Sequence, residues 1–128
     1  MRKIKLVLGI LWSLTILVMC VIPAGNLPDT NISIPYFDKI VHFGIFGILS
    51  FILISIFKEQ YNYKKSIVIT LIICSIYGYV IELLQKYVSS GRSYEFLDVL
   101  FDIIGCIFGI LFYKLAKKLF VKRFNFKF

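Results

Sequence analysis

The sequence predicts an all-α fold, an integral membrane four-helix bundle. Hydrophobic residues make up 59% of the 128 residues and charged residues only 17%, against about 25% charged in ordinary soluble domains. A soluble domain of this size leaves too much of its surface in water to hide so many apolar side chains. Four apolar segments also approach the roughly 20 residues with which a helix crosses a bilayer, so lipid is the expected surrounding.

The chain is expected to form a single domain, residues 1–128, that ends in a basic tail at 117–128. Its helices are predicted at about 4–24, 38–58, 65–87 and 95–116. The first segment begins with basic residues like a signal peptide, but its apolar core exceeds the usual ~7–15 residues. Met19, which is not a small residue, also precedes Cys20. We therefore interpret the first segment as a membrane helix.

The distribution of basic residues predicts the orientation of these helices. With the N-terminus in the cytoplasm, twelve Lys and Arg residues fall on the cytoplasmic side and only Lys39, Lys86 and Arg92 on the other side. Cytoplasmic loops are enriched in Lys and Arg, so both termini are expected in the cytoplasm. The net charge is +8, and the basic residues of the cytoplasmic side are expected to interact with anionic lipid of the inner leaflet. No nucleic-acid partner is expected.

Ionisable and polar residues gather at the predicted outer ends of three helices. Such residues are costly within a membrane, and by default each is a functional-site hypothesis. Spacings of three and four residues place several of them on shared helix faces. The candidate ligand-binding residues are Asp38, Lys39, His42, Glu82, Gln85, Arg92, Asp98 and Asp102. Three of these are also candidates for catalytic roles, namely His42, Glu82 and Asp98.

Small residues on the same helix faces predict where the bundle interior lies. Gly105 and Gly109 are four apart and follow Asp98 and Asp102 on one face of the fourth helix. Such a pair lets two helix backbones approach closely. Gly78 stands four residues before Glu82 on the third helix. Gly78, Gly105 and Gly109 are therefore predicted to be helix-packing positions.

The polar residues also have structural interpretations. Asp38 and Glu95 lie near helix N-termini, where the helix dipole and free N–H groups stabilise a carboxylate. Glu82 lacks this explanation because it lies near the negative, C-terminal end of its helix. It needs a proton or a cation, and Arg92 is its expected partner, with the lysine and histidine of the second helix as alternatives. A purely structural clamp between Glu82 and Arg92 is one interpretation of this pair.

The order and spacing of these residues resemble the VanZ-like family of membrane proteins, over about residues 38–109. In this chain, Asp102 stands at a position where the family usually has Asn, which adds a negative charge unless the carboxyl is protonated. The residues that carry the resemblance are Asp38, Lys39, His42, Glu82, Gln85, Arg92, Ser93, Asp98, Gly105 and Gly109.

The resemblance implies a multi-pass protein of the bacterial cell membrane, connected with the cell envelope. The family's founding member is associated with antibiotic resistance, namely low-level resistance to teicoplanin, a glycopeptide that binds peptidoglycan precursors. The resemblance implies this compartment and no particular reaction.

Several functions are compatible with the polar residues. The first is binding or remodelling of an anionic envelope lipid or lipid-linked cell-wall precursor at the outer face, because helices two and four both begin there and direct their positive dipole ends to it. The second is an intramembrane enzyme that uses His42, Glu82 and Asp98. A proton-coupled carrier is a third, although four short helices leave little room for alternating access. A purely structural or interaction role is the remaining alternative.

No resident cofactor and no metal site are predicted, because no motif of a known zinc enzyme or hydrolase is present. The one alternative left open is a divalent cation at the outer carboxylate cluster. The three cysteines, at positions 20, 74 and 106, lie within apolar runs and are expected to pack as small apolar side chains. The expected partners are therefore the lipid bilayer and an anionic or lipid-linked envelope molecule.

Overall fold

The structure is a computed structural model that describes residues 1–22, 36–88 and 94–124. All regular secondary structure in these ranges is helical, and the helices of 20 to 29 residues are long and apolar enough to cross a membrane. The prediction of a four-helix membrane protein is confirmed. In chain order, the helices are α1 (Arg2–Val21), α2 (Phe37–Phe57), α3 (Tyr63–Val88) and α4 (Phe96–Phe124).

Local sequence explains where these helices begin. Asp38 lies in the first turn of α2 and Asp98 in the first turn of α4, where a carboxylate stabilises the positive end of the helix dipole. At the start of α3, the side-chain oxygen of Asn62 accepts a hydrogen bond of 2.9 Å from the backbone N–H of Lys65, which satisfies one of the otherwise unpaired donors of the first turn.

The fourth helix is longer than predicted. The sequence predicted an end near residue 116 and a tail from 117, but α4 continues to Phe124. The residues of this stretch are Lys, Leu, Phe, Val and Arg, with no Gly or Pro to stop the helix. Lys122 and Arg123 lie in the last turn, where cations interact favourably with the negative end of the dipole.

Helices α2 and α4 run side by side in the same direction and form the most extensive contact in the bundle. A Cβ atom added to Gly105 would overlap the backbone carbonyl of Phe43, and one added to Gly109 would overlap the carbonyl of Gly47. Any larger residue at these two positions would push the helices apart. The close approach keeps the N-terminal turns of α2 and α4 together, and both contribute to the site described below.

Long-range hydrogen bonds near the middle of helix α1 hold it to the bundle. The indole N–H of Trp12 donates to the carbonyl of Ile45 at 2.9 Å, and the hydroxyl of Tyr77 donates to the carbonyl of Ser13 at 2.5 Å. Around them, the described core consists of small, aliphatic and aromatic side chains from all four helices, whose fully buried members include Ile16, Phe46, Leu49, Ile54, Cys74, Ile81 and Cys106.

The bundle has two polar ends and an apolar exterior. Large hydrophobic side chains on all four helices are exposed on the outer surface, as expected for helices that face lipid. We call the end where α2 and α4 begin the site end. At the opposite end, the Lys5 ammonium and the Glu59 carboxylate form an ion pair of 2.5 Å. The Lys5 ammonium holds the pKa of Glu59 below its ordinary value of 4.5.

Candidate functional site

The structure brings most of the predicted site residues together at the site end. They come from the first turns of α2 and α4 and from the last turns of α3. Gln85 of α3 is also buried there, and its Nε2 has no hydrogen-bond partner among the described residues. Arg92 and Ser93 lie outside the described ranges. The predicted residues that the structure joins by hydrogen bonds or ion pairs are Asp38, Lys39, His42, Glu82, Asp98 and Asp102.

The first group of contacts surrounds the ammonium of Lys39, and we call it the closed cluster: Lys39, Asp38, Glu95 and Asp98. The Nζ atom lies 3.0 Å from Asp38 Oδ2, 2.5 Å from Glu95 Oε2 and 3.2 Å from Asp98 Oδ1. Only 6% of the Lys39 side chain is exposed. Its charge is thus engaged by carboxylates within the protein.

Glu95, for which the sequence favours a helix-capping role, belongs to the candidate site. Its side chain reaches Lys39 on α2, and its backbone N–H donates to Glu82 Oε2 at 3.3 Å. The available signal was its position three residues before Asp98, at the same end of the same helix. Lys86, in contrast, is exposed, with its Nζ 5.2 Å from the centre of the Tyr87 ring. An exposed ammonium beside an aromatic ring is the arrangement expected of a lysine at the membrane surface.

The second group of contacts surrounds the imidazole of His42, and we call it the open cluster: His42, Glu82 and Asp98, one residue from each of three helices. His42 Nε2 lies 3.8 Å from Glu82 Oε1 and 3.9 Å from Asp98 Oδ2. Both separations are too long for hydrogen bonds. On the other side of the ring, His42 Nδ1 and Asp102 Oδ1 are 2.9 Å apart, and this hydrogen bond fixes the orientation of the imidazole.

Glu82 is the least satisfied residue of the open cluster. Its side chain has no exposed surface. Oε2 accepts the hydrogen bond from the backbone of Glu95, but Oε1 has no hydrogen-bond partner in the described part of the chain. Of the partners that the sequence predicted, Lys39 binds three other carboxylates, and His42 is close without a hydrogen bond.

Asp102 lies behind the open cluster, deeper in the bundle than Asp98 by one helical turn, or about 6 Å. It is fully buried, and its Oδ2 has no partner among the residues described. A Cβ atom on Gly78 would lie 2.7 Å from this oxygen. Glycine at position 78 therefore provides the space that the Asp102 carboxylate occupies.

Acidic groups outnumber cationic groups in the described part of the site. Lys39 and His42 are the only described residues with a cationic form in either cluster, and both are already engaged by carboxylates. The site therefore has an excess of acidic groups, and Glu82, Asp98 and Asp102 are buried, where an unpaired charge is costly. The carboxylates are Asp38, Glu82, Glu95, Asp98 and Asp102.

Two sets of residues have the spacing of metal ligands. In the set formed by His42, Glu82 and Asp98, one ligand atom from each residue lies within 4.8 Å of the other two. The set formed by Asp38, Glu95 and Asp98 meets the same criterion, but the ammonium of Lys39 occupies the space between them. The open cluster is thus the better cation site of the two.

An apolar groove lies on the α2–α4 surface next to the site and was not predicted from the sequence. It has a volume of about 460 Å³ and begins at Phe43, the neighbour of His42. Glycines at positions 44 and 47 leave the space, and the phenylalanine rings at positions 51 and 112 line its far end. The sequence signal for the groove is the pair of glycines on α2, Gly44 and Gly47.

Comparison with known proteins gives a family for the chain. The model of the VanZ/LLP1 family matches residues 10–117, a range that includes every candidate site residue. No curated protein and no solved structure matches the chain. The resemblance carried by the polar residues and the Gly105–Gly109 pair is confirmed. This multi-pass chain, with its buried polar site at one end of a four-helix bundle, therefore belongs to the VanZ/LLP1 family.

Proposed function

We propose that this protein binds an anionic envelope lipid or a lipid-linked cell-wall precursor at the outer face of the bacterial cell membrane, with both termini in the cytoplasm. Membership of the VanZ/LLP1 family and the distribution of Lys and Arg residues support the compartment and the orientation. In this orientation the site end, with both ionic clusters, faces outward.

The orientation has a direct test. A single cysteine introduced at position 92 should react with a membrane-impermeant maleimide on intact cells, and one introduced at position 64 should react only after permeabilisation. The native cysteines are buried in the bundle, which limits the background. Labelling with the opposite sidedness would place the site in the cytoplasm and would rule out the proposed ligand class.

The observation that carries the proposal is the adjacency of a buried polar site and an apolar groove. His42 of the open cluster and Phe43, which lines the groove, are consecutive residues of α2. A ligand that fills both must be amphipathic, with a polar head at the site and a hydrocarbon chain along α2 and α4. Membrane lipids and polyprenyl-linked precursors have this form.

The chemistry at the site end supports a phosphate-bearing head. The N-termini of α2 and α4 lie side by side there, and helix N-termini attract anions through their free N–H groups and dipoles. Arg92 belongs to the segment between α3 and α4, and its guanidinium is suited to bidentate contact with phosphate. Lys39 is engaged in the closed cluster, so we assign it a structural role in positioning Asp98.

The test is a lipid-binding measurement on purified protein in nanodiscs of neutral lipid, with polyprenyl phosphate compared with the uncharged polyprenol. We expect preferential binding of the phosphate. Arg92→Gln should weaken binding by about tenfold or more, because a hydrogen bond to a charged group contributes about 1.5–3 kcal/mol. Lys86→Gln, at an exposed lysine of the same end, is the matched control and should leave binding unchanged.

The groove is tested separately. Gly44 has no atom within 4 Å of an added Cβ, so Gly44→Leu should fill the groove without disturbing the α2–α4 contact and should weaken polyprenyl phosphate binding several-fold. Val68→Phe, on the exposed surface of α3, adds the same number of side-chain carbons and is the control for added apolar volume outside the groove. Equal binding of phosphate and alcohol, or binding that neither Arg92→Gln nor Gly44→Leu alters, would refute the proposal.

In cells, the proposed lipid binding would reduce susceptibility to glycopeptides. This expectation rests on the family alone. Expression of the gene should raise the teicoplanin concentration that inhibits growth, and the Arg92→Gln variant should not. Equal inhibition with and without the gene would exclude a role in glycopeptide resistance. The lipid-binding proposal would still be decided by the binding measurement in nanodiscs.

A second candidate function is chemistry on the bound precursor, and one observation favours it. When Nδ1 of His42 donates to Asp102, the neutral ring presents a lone pair at Nε2, which faces Glu82 and Asp98. An imidazole oriented in this way is the arrangement of a general base. Product analysis after incubation with a lipid-linked diphosphate tests it. Turnover that is lost in His42→Gln would support catalysis, and unchanged substrate would exclude it for that class.

A further inference from the structure

The carboxyl group of Glu82 needs either a proton or a cation to be buried at low cost. It is completely buried, and its Oε1 is unpartnered within the described ranges. Burying an ionised carboxylate without a partner is prohibitively costly. Oε1 lies 3.8 Å from His42 Nε2, and the carboxylate of Asp98, another acidic group, belongs to the same cluster, so these described neighbours do not remove the cost of an ionised Glu82.

The spacing of the open cluster fits a shared cation better than direct contact. The 3.8 and 3.9 Å separations of His42 Nε2 from the two carboxylates exceed hydrogen-bond length. Two ligands that are each ~2.0–2.2 Å from one metal ion can be separated by up to ~4.4 Å. One small cation between Nε2, Glu82 Oε1 and Asp98 Oδ2 would thus bring all three atoms to bonding distance with shifts of a few tenths of an ångström.

Neighbouring residues hold the three ligand atoms in position. Asp102 binds Nδ1 of His42 and so directs Nε2 into the open cluster. The ammonium of Lys39 binds Oδ1 of Asp98 and leaves Oδ2 for the open cluster. The backbone N–H of Glu95 binds one oxygen of Glu82 and leaves the other. Outer partners of this kind, above all a carboxylate on a histidine ligand, are typical of metal sites.

We propose that His42, Glu82 and Asp98 bind a divalent first-row metal ion at the site end of the bundle. One imidazole nitrogen and two carboxylate oxygens suit Zn²⁺ or Mn²⁺, whereas Ca²⁺ and Mg²⁺ take oxygen ligands. Three protein ligands leave a coordination position open for water or another oxygen donor. The proposal goes beyond lipid binding, since the cation can be present with or without a lipid.

The metal also reconciles an acidic site with an anionic ligand. A divalent ion would offset the excess negative charge of the open cluster, and its open position could accept a phosphate oxygen. This bridging role rests on the proposed lipid binding, but the metal site does not. The metal-binding proposal and the lipid-binding proposal can be refuted independently. Metal binding is measured without polyprenyl phosphate, and lipid binding can be measured with and without chelator.

The experiment uses the full-length protein in nanodiscs of neutral lipid, stripped with a chelator and dialysed against Zn²⁺ or Mn²⁺ alone. We expect one ion per chain by elemental analysis, and weaker binding of Ca²⁺ and Mg²⁺. Co²⁺ as a spectroscopic probe should give visible absorption bands typical of nitrogen and oxygen ligation. Absence of stoichiometric Zn²⁺ and Mn²⁺ in the wild-type protein would overturn the proposal, whatever the variants do.

The variants assign the ligands. Glu82→Gln and His42→Gln should each weaken Zn²⁺ binding at least 100-fold, while Asp102→Asn should weaken it about 10–100-fold as an outer partner. Glu59→Gln, a carboxylate at the opposite end of the bundle, is the matched control and should bind like the wild type. Helix content by circular dichroism identifies any variant that fails to fold. Stoichiometric binding that persists in folded Glu82→Gln protein would exclude this site.

Discussion

The two ionic clusters at the site end share Asp98 but differ in their charge balance. In the closed cluster, the Lys39 ammonium meets three carboxylates at hydrogen-bonding distance. In the open cluster, no lysine or arginine among the described residues contacts Glu82, whose Oε1 is left without a partner. Removing one partner of a buried, fully paired ionic group is strongly destabilising. An unpaired group in the same environment costs free energy, and such a group is typical of a site that binds something.

The largest effect should come from the cation of the closed cluster. Lys39→Met leaves Asp98 buried without its ammonium partner, and breaking a buried pair in this way costs about 3–5 kcal/mol. The free energy of unfolding in mixed micelles measures the loss. Lys86→Met removes an exposed lysine from the same end and should change it by less than about 0.5 kcal/mol. Equal effects of the two substitutions would contradict a structural role of the closed cluster.

The next effect should come from the space behind the open cluster. A Cβ on Gly78 would lie 2.7 Å from Asp102 Oδ2, so Gly78→Ala should displace the carboxylate and cost about 1–3 kcal/mol through overpacking. Gly44→Ala adds the same methyl group to open space, and helix propensity should make it neutral or stabilising by up to about 1 kcal/mol. Unfolding free energies of the two variants give the comparison, and a loss of similar size in both would reject this account of Gly78.

A smaller effect of opposite sign is expected at the open cluster itself. Glu82→Gln replaces an unpartnered buried carboxylate by a neutral group of the same shape, and the side-chain oxygen can still accept the Glu95 N–H. In chelator-treated protein, the free energy of unfolding should rise by about 1 kcal/mol, the lower end of the cost of an unsatisfied buried group. A loss of stability comparable with that of Lys39→Met would show that Glu82 is already paired in the fold.

The smallest effect should come from the exposed ion pair at the opposite end. Lys5 lowers the pKa of Glu59 from its ordinary value of 4.5, so the pair contributes stability above that value. The contribution is lost as the pH falls through the lowered pKa of the folded state. Glu59→Gln should therefore differ slightly from the wild type at neutral pH and not at all near pH ~2. A difference in unfolding midpoint that grows on acidification would contradict this sign.

The sequence predicted the helices because their determinants are local. Apolar runs of sufficient length, with polar and aromatic residues between them, specify membrane helices without reference to any partner. The one clear error was the end of α4, since the basic stretch after position 116 was assigned to a tail. The high density of Lys and Arg residues suggested that the helix ends there. Because this stretch contains no Gly or Pro, α4 continues to Phe124.

The sequence predicted which residues gather at the site better than it predicted how they pair. Spacing along each helix placed Asp38, His42, Glu82 and Asp98 at one end of the bundle. Which carboxylate meets which cation depends on the rotation and depth of one helix against another, and single-helix patterns do not contain that information. Arg92 was the expected partner of Glu82, and it lies outside the described residues. Lys39 was an alternative, and three other carboxylates engage it.

The sequence by itself determined a four-helix membrane protein of the VanZ/LLP1 family and the end of the bundle where its polar residues gather, because helix length, hydropathy and residue spacing are properties of one segment at a time. Only the tertiary structure decided that Lys39 is enclosed, that Glu82 faces His42 without a hydrogen bond, and that an apolar groove begins beside them. These features arise where α2 and α4 approach at Gly105 and Gly109. Backbone contact sets the relative depth of two helices, and a shift of one residue would pair every charge differently.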